Sequence, residues 1–497
     1  MATELHVPQP IPPVASRPTF ADSARKIEPK RLSLSLLIAL VVGSMIGSGI
    51  FSLPQNMAAS AGAGAILIGW LITGVGMLCL ALVYQMLSNR QPSLDNGVFA
   101  YARELGGEFL GFNSAWGYWI SAWIGNVSYL VILFAALSYF FPLFGEGNNK
   151  AAIVGASVVL WGLHWMILRG MRTAARANAL TTVAKIVPLL LFIGLVIAAF
   201  QRETFSLDFW GAPALGSTLD QVKSTMLVTV WVFIGIEGAN VFSARAAKRS
   251  NVGRATVIGF VITLLLLIAV SLLSLGILKQ PELAALKNPS MAGVLQAATG
   301  PWGAVLISIG LIISVGGALL AWTLLAAESV FTPAKEQVMP GALAVENAQG
   351  VPANALWVTN GCIQLFLLLT LYSSASYLAL ISLATSMILL PYLFSGLYAL
   401  KLTWKGQTYA GHRRLQLRDL AIAAVATLYC LWLLYAAGPK YMLLSALLYA
   451  PGTLIYLMTL RTRQGWHFSG PETGLLVIIW GAAAVAGWML WSGTLTL

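Results

Sequence analysis

The sequence predicts an all-α polytopic membrane protein, and three observations carry that prediction. Of the 497 residues, 58% are hydrophobic and only 9% are Asp, Glu, Lys or Arg, against about 25% charged in a soluble globular chain. The mean hydropathy is +0.80. Apolar stretches of about 20 residues, long enough to cross a bilayer as a helix, recur between residues 33 and 494. A soluble fold needs a charged skin at any size. Soluble, disordered and disulfide-scaffold classes are therefore excluded, and the lipid bilayer is the expected surrounding.

In chain order, residues 1–31 are polar and carry Pro8, Pro10, Pro12 and Pro13, the composition of a flexible tail. About 13 transmembrane helices follow, near 33–57, 65–88, 112–141, 151–169, 180–200, 222–245, 254–278, 302–330, 354–371, 376–400, 418–437, 440–461 and 473–494. No short signal-peptide core precedes the first, so that span is expected to stay as an anchor. The longest linker, Thr332 to Pro352, is too short for a separate domain. Cys79, Cys362 and Cys430 fall far apart inside apolar spans, in no metal-ligand spacing, and read as small core residues. No cofactor or metal is expected, and no nucleophile–base pair marks a membrane enzyme. Function is expected among the helices.

The formal charge of +12 is first a matter of topology. With the N-terminus in the cytoplasm, 23 of the 29 Lys and Arg residues fall on the cytoplasmic side. Six fall outside: Lys150, Arg202, Lys223, Lys279, Lys287 and Lys440. Cytoplasmic loops accumulate Lys and Arg in this way, so the basic charge needs no nucleic acid. An odd span count places the C-terminus in the periplasm.

Two spans are expected to be broken. The first contains Gly43-Ser44-Met45-Ile46-Gly47-Ser48-Gly49 followed by Pro54. Each glycine weakens a helix by about 1 kcal/mol relative to alanine. Their spacings of two and four, interleaved with two serines, fit an unwound segment better than one packing face. The sixth span carries Trp231-Val232-Phe233-Ile234-Gly235-Ile236-Glu237-Gly238. Its carboxylate lies near mid-membrane, where a charge costs several kcal/mol unless paired or hydrated, so Glu237 is a functional candidate.

Breaks five helices apart are the mark of a five-plus-five inverted-repeat fold with a midplane site. The first repeat would cover residues 32–200 and the second 220–400, with 417–497 adding the last three helices. Half-helix N-termini then offer N–H groups to a substrate carboxylate, while freed carbonyls accept from an ammonium. The pattern predicts a zwitterion site, and the buried acid favours a substrate with extra positive charge.

These residues resemble the amino acid–polyamine–organocation transporters, specifically the basic amino acid/polyamine antiporters. The likeness covers nearly the whole chain. Its strongest pieces are the first-span run Gly43 to Ala58, Gly117-Tyr118-Trp119 with Trp123-Ile124-Gly125-Asn126, and Trp231 to Gly238. The thirteen-span count and Val252-Gly253-Arg254-Ala255-Thr256 look most like the arginine/ornithine exchangers of that family.

The resemblance implies a leucine-transporter-like fold and a site residue by residue. Gly47, Ser48 and Gly49 would hold the substrate carboxylate. The carbonyls of Met45, Trp231 and Ile234 would take the α-ammonium. Trp231 would also stack on the side-chain cation and close the outer gate, a contact contributing about 2 kcal/mol when desolvated. Asn126 would contact the guanidinium end, and Trp322 the aliphatic part. Tyr118, Glu237 and Tyr392 match a gating network that responds to pH. Ser44 stands where a related arginine/agmatine exchanger has asparagine, and Ala384-Thr385-Ser386 offers no clear counterpart for an assisting serine. Agmatine is therefore the least expected substrate.

Plainer readings stand beside these. Most tryptophans in a membrane protein form interfacial belts, Asn126 alone reads as interhelical glue, and His164 as a packed or interfacial histidine. Lys185 either couples protons, as a fifth-span lysine does in some relatives, or snorkels to the headgroups. Taken together, the expectation is a bacterial inner-membrane antiporter, with a homodimer suggested by the resemblance. It would exchange arginine for ornithine, with lysine as a further substrate. The rival is a proton-coupled basic amino acid or polyamine permease.

Overall fold

The computed structural model describes residues 33–94, 97–170, 174–236, 249–372, 376–461 and 469–495, and among these the regular structure is helical throughout. The tail at 1–31 and Glu237 lie outside the described residues. The chain begins with α1 (Leu34–Met45), α2 (Gly49–Ala58), α3 (Ala63–Arg90), α4 (Gly97–Gly106), α5 (Glu108–Leu137) and α6 (Lys150–Leu168). Next come α7 (Ala174–Ala199), the short α8 (Arg202–Ser206), α9 (Thr218–Trp231) and α10 (Arg249–Ser274). After the short α11 (Gln280–Ala284) and α12 (Ser290–Thr299) follow α13 (Pro301–Lys335) and α14 (Ala353–Leu369). The last are α15 (Tyr377–Lys405), α16 (Arg413–Arg461) and α17 (Gly470–Trp491).

Among the described residues, eight helices are long and apolar enough to cross a membrane, and α1 with α2 makes a ninth, bent by 47° at its break. Residues 185–199 of α7 and the whole of α14 are shorter apolar helices. The 49 residues of α16 are two helices, because Gly438 at φ 72°, ψ 171° leaves helical geometry just before Pro439.

Helix α5 forms the centre, with 94% of its apolar window buried against 17% for α17 at the margin. It packs on α13 and α15, while α17 leans on α16. Lipid tails are as apolar as leucine, so packing and interhelical hydrogen bonds, each about 0.6 kcal/mol, hold such a bundle together. Trp70 Nε1 donates to Ser271 Oγ at 2.9 Å and Trp119 Nε1 to Thr359 Oγ1 at 2.9 Å. The hydroxyls of Ser386 and Ser445 pair at 2.7 Å.

The ends of the bundle differ in charge. At one end Arg103 pairs with Glu336, Lys335 with Glu346 at 3.0 Å, and Lys401 donates to the carbonyls of Glu104 and Leu105. There Arg90 meets the buried Asp419 at 3.2 Å and stacks on Tyr409. Burial, with the Asp419 carboxylate beside it, raises the Tyr409 phenol well above its ordinary range. At the opposite end the contacts are mostly neutral: Gln280 Nε2 donates to the Ala58 carbonyl at 2.6 Å, Gln55 N to Ser290 Oγ at 3.1 Å, and Gly62 N to Gln221 Oε1 at 3.0 Å. Lys287 and Glu146 pair there at 3.3 Å.

Candidate substrate-binding site

The break expected in the first span is present, and in the sixth the helix stops close to the expected glycines, with residues 237–248 outside the described residues. Helix α1 stops at Met45 and α2 restarts at Gly49. Helix α9 stops at Trp231 and gives way to tighter turns, in which Phe233 N donates to Val230 O and Ile234 N to Trp231 O. Gly235 follows at φ 104°, a conformation in which an L side chain is strained. The breaks touch. A Cβ on Gly235 would lie 3.2 Å from the Ser44 carbonyl oxygen, and one on Gly49 would lie 2.8 Å from Trp231 Cδ1.

A cavity with about 360 Å³ of unfilled space lies between them, lined by Met45, Gly47, Gly49, Ala122, Gly125, Tyr129, Trp231, Val232, Ile234 and Trp322. Helix α2 starts at its wall, so amides without an intrahelical acceptor and the positive end of a helix dipole are at hand. Helices α1 and α9 end there; the Val230 and Trp231 carbonyls are each met by an amide three residues on, and each carbonyl oxygen keeps a second lone pair for a ligand. One cavity thus offers donors for a carboxylate, acceptors for an ammonium and the Trp231 ring.

Of the nine residues expected to bind substrate, Met45, Gly47, Gly49, Trp231, Ile234 and Trp322 line the cavity. The other three stand back from it. The Ser44 hydroxyl turns onto its own helix and donates to the Val41 carbonyl at 2.8 Å. The buried Ser48 hydroxyl shares a 3.0 Å hydrogen bond with the Tyr377 hydroxyl. Asn126 is fully buried; its Nδ2 donates to Thr323 Oγ1 at 3.3 Å, and its Oδ1 has no hydrogen-bond partner among the described residues.

The residues expected to gate are less concentrated. Trp231 packs edge-on against Tyr129, ring centroids 6.1 Å apart. Tyr118 and Tyr392 are buried but are not among the lining residues. Tyr392 packs against Tyr84, with centroids 6.1 Å apart.

Lys185 does not snorkel to the headgroups. Its side chain is 3% exposed, and its ammonium donates to the carbonyls of Gly43 and of Ile46, the latter at 2.7 Å. His164 is packed rather than interfacial, with Nδ1 2.9 Å from Asn360 Nδ2.

Ala122, Gly125, Tyr129 and Val232 line the cavity without having been singled out as ligands. A signal for three of them exists: positions 122, 125 and 129 are spaced as one helical face, and that face of α5 is the one turned to the cavity.

Comparison with known proteins places this geometry. Residues 32–460 match the family described as amino acid permease. The chain belongs to that family. An arginine/ornithine antiporter of Pseudomonas aeruginosa is 56% identical over 476 residues, covering 94% of this chain and 99% of that protein. An L-lysine transport protein of Corynebacterium glutamicum is 43% identical over 484 residues, covering 94% and 97%. An arginine/agmatine antiporter of Chlamydia caviae is 42% identical over 460 residues, covering 90% and 94%. As an amino acid permease the chain is a multi-pass membrane transporter and not an enzyme.

Proposed function

We propose that this permease exchanges cationic amino acids, arginine for ornithine, by alternating access. The observation that carries the reading is the first-span break meeting the end of α9 at one cavity whose walls include both a helix N-terminus and Trp231. Gly47, Gly49 and, behind them, Ser48 take the carboxylate. The carbonyls of Met45, Trp231 and Ile234 take the α-ammonium. Trp231 and Trp322 flank the side chain, and Asn126, set back behind the cavity wall, faces its guanidinium or ammonium end once the site rearranges around the substrate. The 56% identical relative named for arginine and ornithine supports the same substrates.

Both substrates carry one net positive charge, so one-for-one exchange is charge-balanced and needs no ion gradient. The repeats at 32–200 and 220–400 rock against each other, and 417–497 flanks them. The basic end of the bundle is cytoplasmic with the N-terminus, the C-terminus periplasmic, and the membrane is the bacterial inner membrane. The assembly is a homodimer. Tyr118, Glu237 and Tyr392 set the pH response of the gates.

A competition experiment tests the substrate reading. Arginine, ornithine and lysine should each suppress labelled-arginine uptake into proteoliposomes, and neutral amino acids of similar size should not. Equal suppression by the neutral set would refute a cation site. A second reading, proton-coupled uptake, is favoured by one observation: Lys185 holds its ammonium at the break in the first span. A pH step driving uptake into empty vesicles, abolished in Lys185→Met, would establish it instead.

A further inference from the structure

Two tyrosines without a role in this reading converge on the first break. Tyr129 reaches it from α5: a Cβ on Gly47 would stand 2.8 Å from the Tyr129 hydroxyl oxygen, so the phenol lies directly over the Gly47 backbone. Tyr129 lines the cavity, and its ring is set against Trp231. Tyr377 is the first residue of α15, and its hydroxyl meets that of Ser48, the next residue of the break, at 3.0 Å.

We propose that this pair makes the site selective for a carboxylate, with Tyr129 donating its hydroxyl to the substrate carboxylate and Tyr377 positioning the Ser48 hydroxyl. The proposal rests on the reading that the carboxylate sits at Gly47–Gly49. An ionised carboxylate has about four lone-pair sites, more than the few free amides at the start of α2 can fill. The Tyr129 hydroxyl supplies a further donor beside Gly47. Tyr377 acts one step back. When its O–H donates to Ser48 Oγ, the serine proton is left to point at the ligand, and a chain of two hydrogen bonds is stronger than its parts. An amine without a carboxylate gives the Tyr129 and Ser48 hydroxyls no acceptor, leaving buried donors unpaired. Sites built to hydrogen-bond a group reject analogues lacking it far more strongly than they reject a change of one methylene. The tyrosines thereby separate amino acids from agmatine and diamines.

The test measures how much arginine, arginine amide and agmatine is needed to halve labelled-arginine uptake in wild type, Tyr129→Phe and Tyr377→Phe. Phenylalanine keeps each ring and removes the hydroxyl. Wild type should favour arginine over agmatine by tenfold or more. In Tyr129→Phe arginine should weaken about tenfold, the scale of a hydrogen bond to a charged group, while agmatine stays unchanged. Tyr377→Phe should shift the same ratio about threefold. Equal weakening of all three ligands, or an unchanged ratio in Tyr129→Phe, overturns the proposal. A wild type that does not distinguish arginine from agmatine overturns instead the carboxylate reading beneath it. If a variant does not transport, ligand-induced thermal shifts of the purified protein give the same ratio.

Discussion

The ammonium of Lys185 on α7 donates a 2.7 Å hydrogen bond to the carbonyl of Ile46, in the gap between α1 and α2. A second bond goes to the Gly43 carbonyl. The lysine therefore cements the break: it meets carbonyls that lost their amides when the helix stopped, at the negative end of the α1 dipole. Unwinding at Gly47 and burial of a lysine from a helix far along the chain are two halves of one arrangement.

Lys185→Met should leave those carbonyls unsatisfied in a dry site. The expected loss is about 2–3 kcal/mol of stability, seen as a lower melting temperature in detergent. Exchange at constant pH should slow with it, since the break would no longer be held. A variant melting like wild type would show that the contact contributes nothing.

Trp231 ends α9 at the cavity wall and packs on Tyr129. Trp231→Leu removes the ring face that meets the substrate cation, a contact of about 2 kcal/mol when desolvated. The arginine KM should rise by more than tenfold, and Trp231→Phe should recover part of the loss. An unchanged KM in Trp231→Leu would remove the indole from the site.

Gly49 has no room for a side chain, because a Cβ would stand 2.8 Å from both Trp231 and Val232. Gly49→Ala should force the two breaks apart and reduce uptake at least tenfold, while the protein still inserts. Gly316 on α13 is the control, with nothing among the described residues within 4 Å of an added Cβ. Gly316→Ala should transport like wild type.

Glu237 is the acid that the sequence places next to the second break. Its negative potential should favour a cationic ligand. Glu237→Gln should weaken arginine about tenfold and flatten the pH dependence of uptake. Unchanged affinity together with an unchanged pH profile would exclude that role.

What the sequence revealed of the fold follows from how membranes constrain chains. Apolar length marks a spanning helix because unpaired backbone is intolerable in lipid, so the long helices were legible. Gly43 to Gly49 announced the first-span break, and Gly235 the end of α9, because glycine there has a local cause that nearby residues reveal. Tyr129 and Tyr377 were not legible. They lie about 80 and 330 residues from the break they approach, and an aromatic in a spanning helix looks the same whether it faces lipid, a neighbour or a cavity. Lys185 was half legible: its charge was conspicuous, but its depth relative to the Ile46 carbonyl is a tertiary fact. Ser44 shows the converse, since a break residue can still turn its hydroxyl back onto its own helix.

The most direct test of the account is labelled-arginine uptake into proteoliposomes that are either empty or loaded with ornithine, with no ion gradient across the membrane. Obligate exchange predicts rapid uptake into ornithine-loaded vesicles and none above background into empty ones. Equal uptake into both would contradict exchange as the transport cycle.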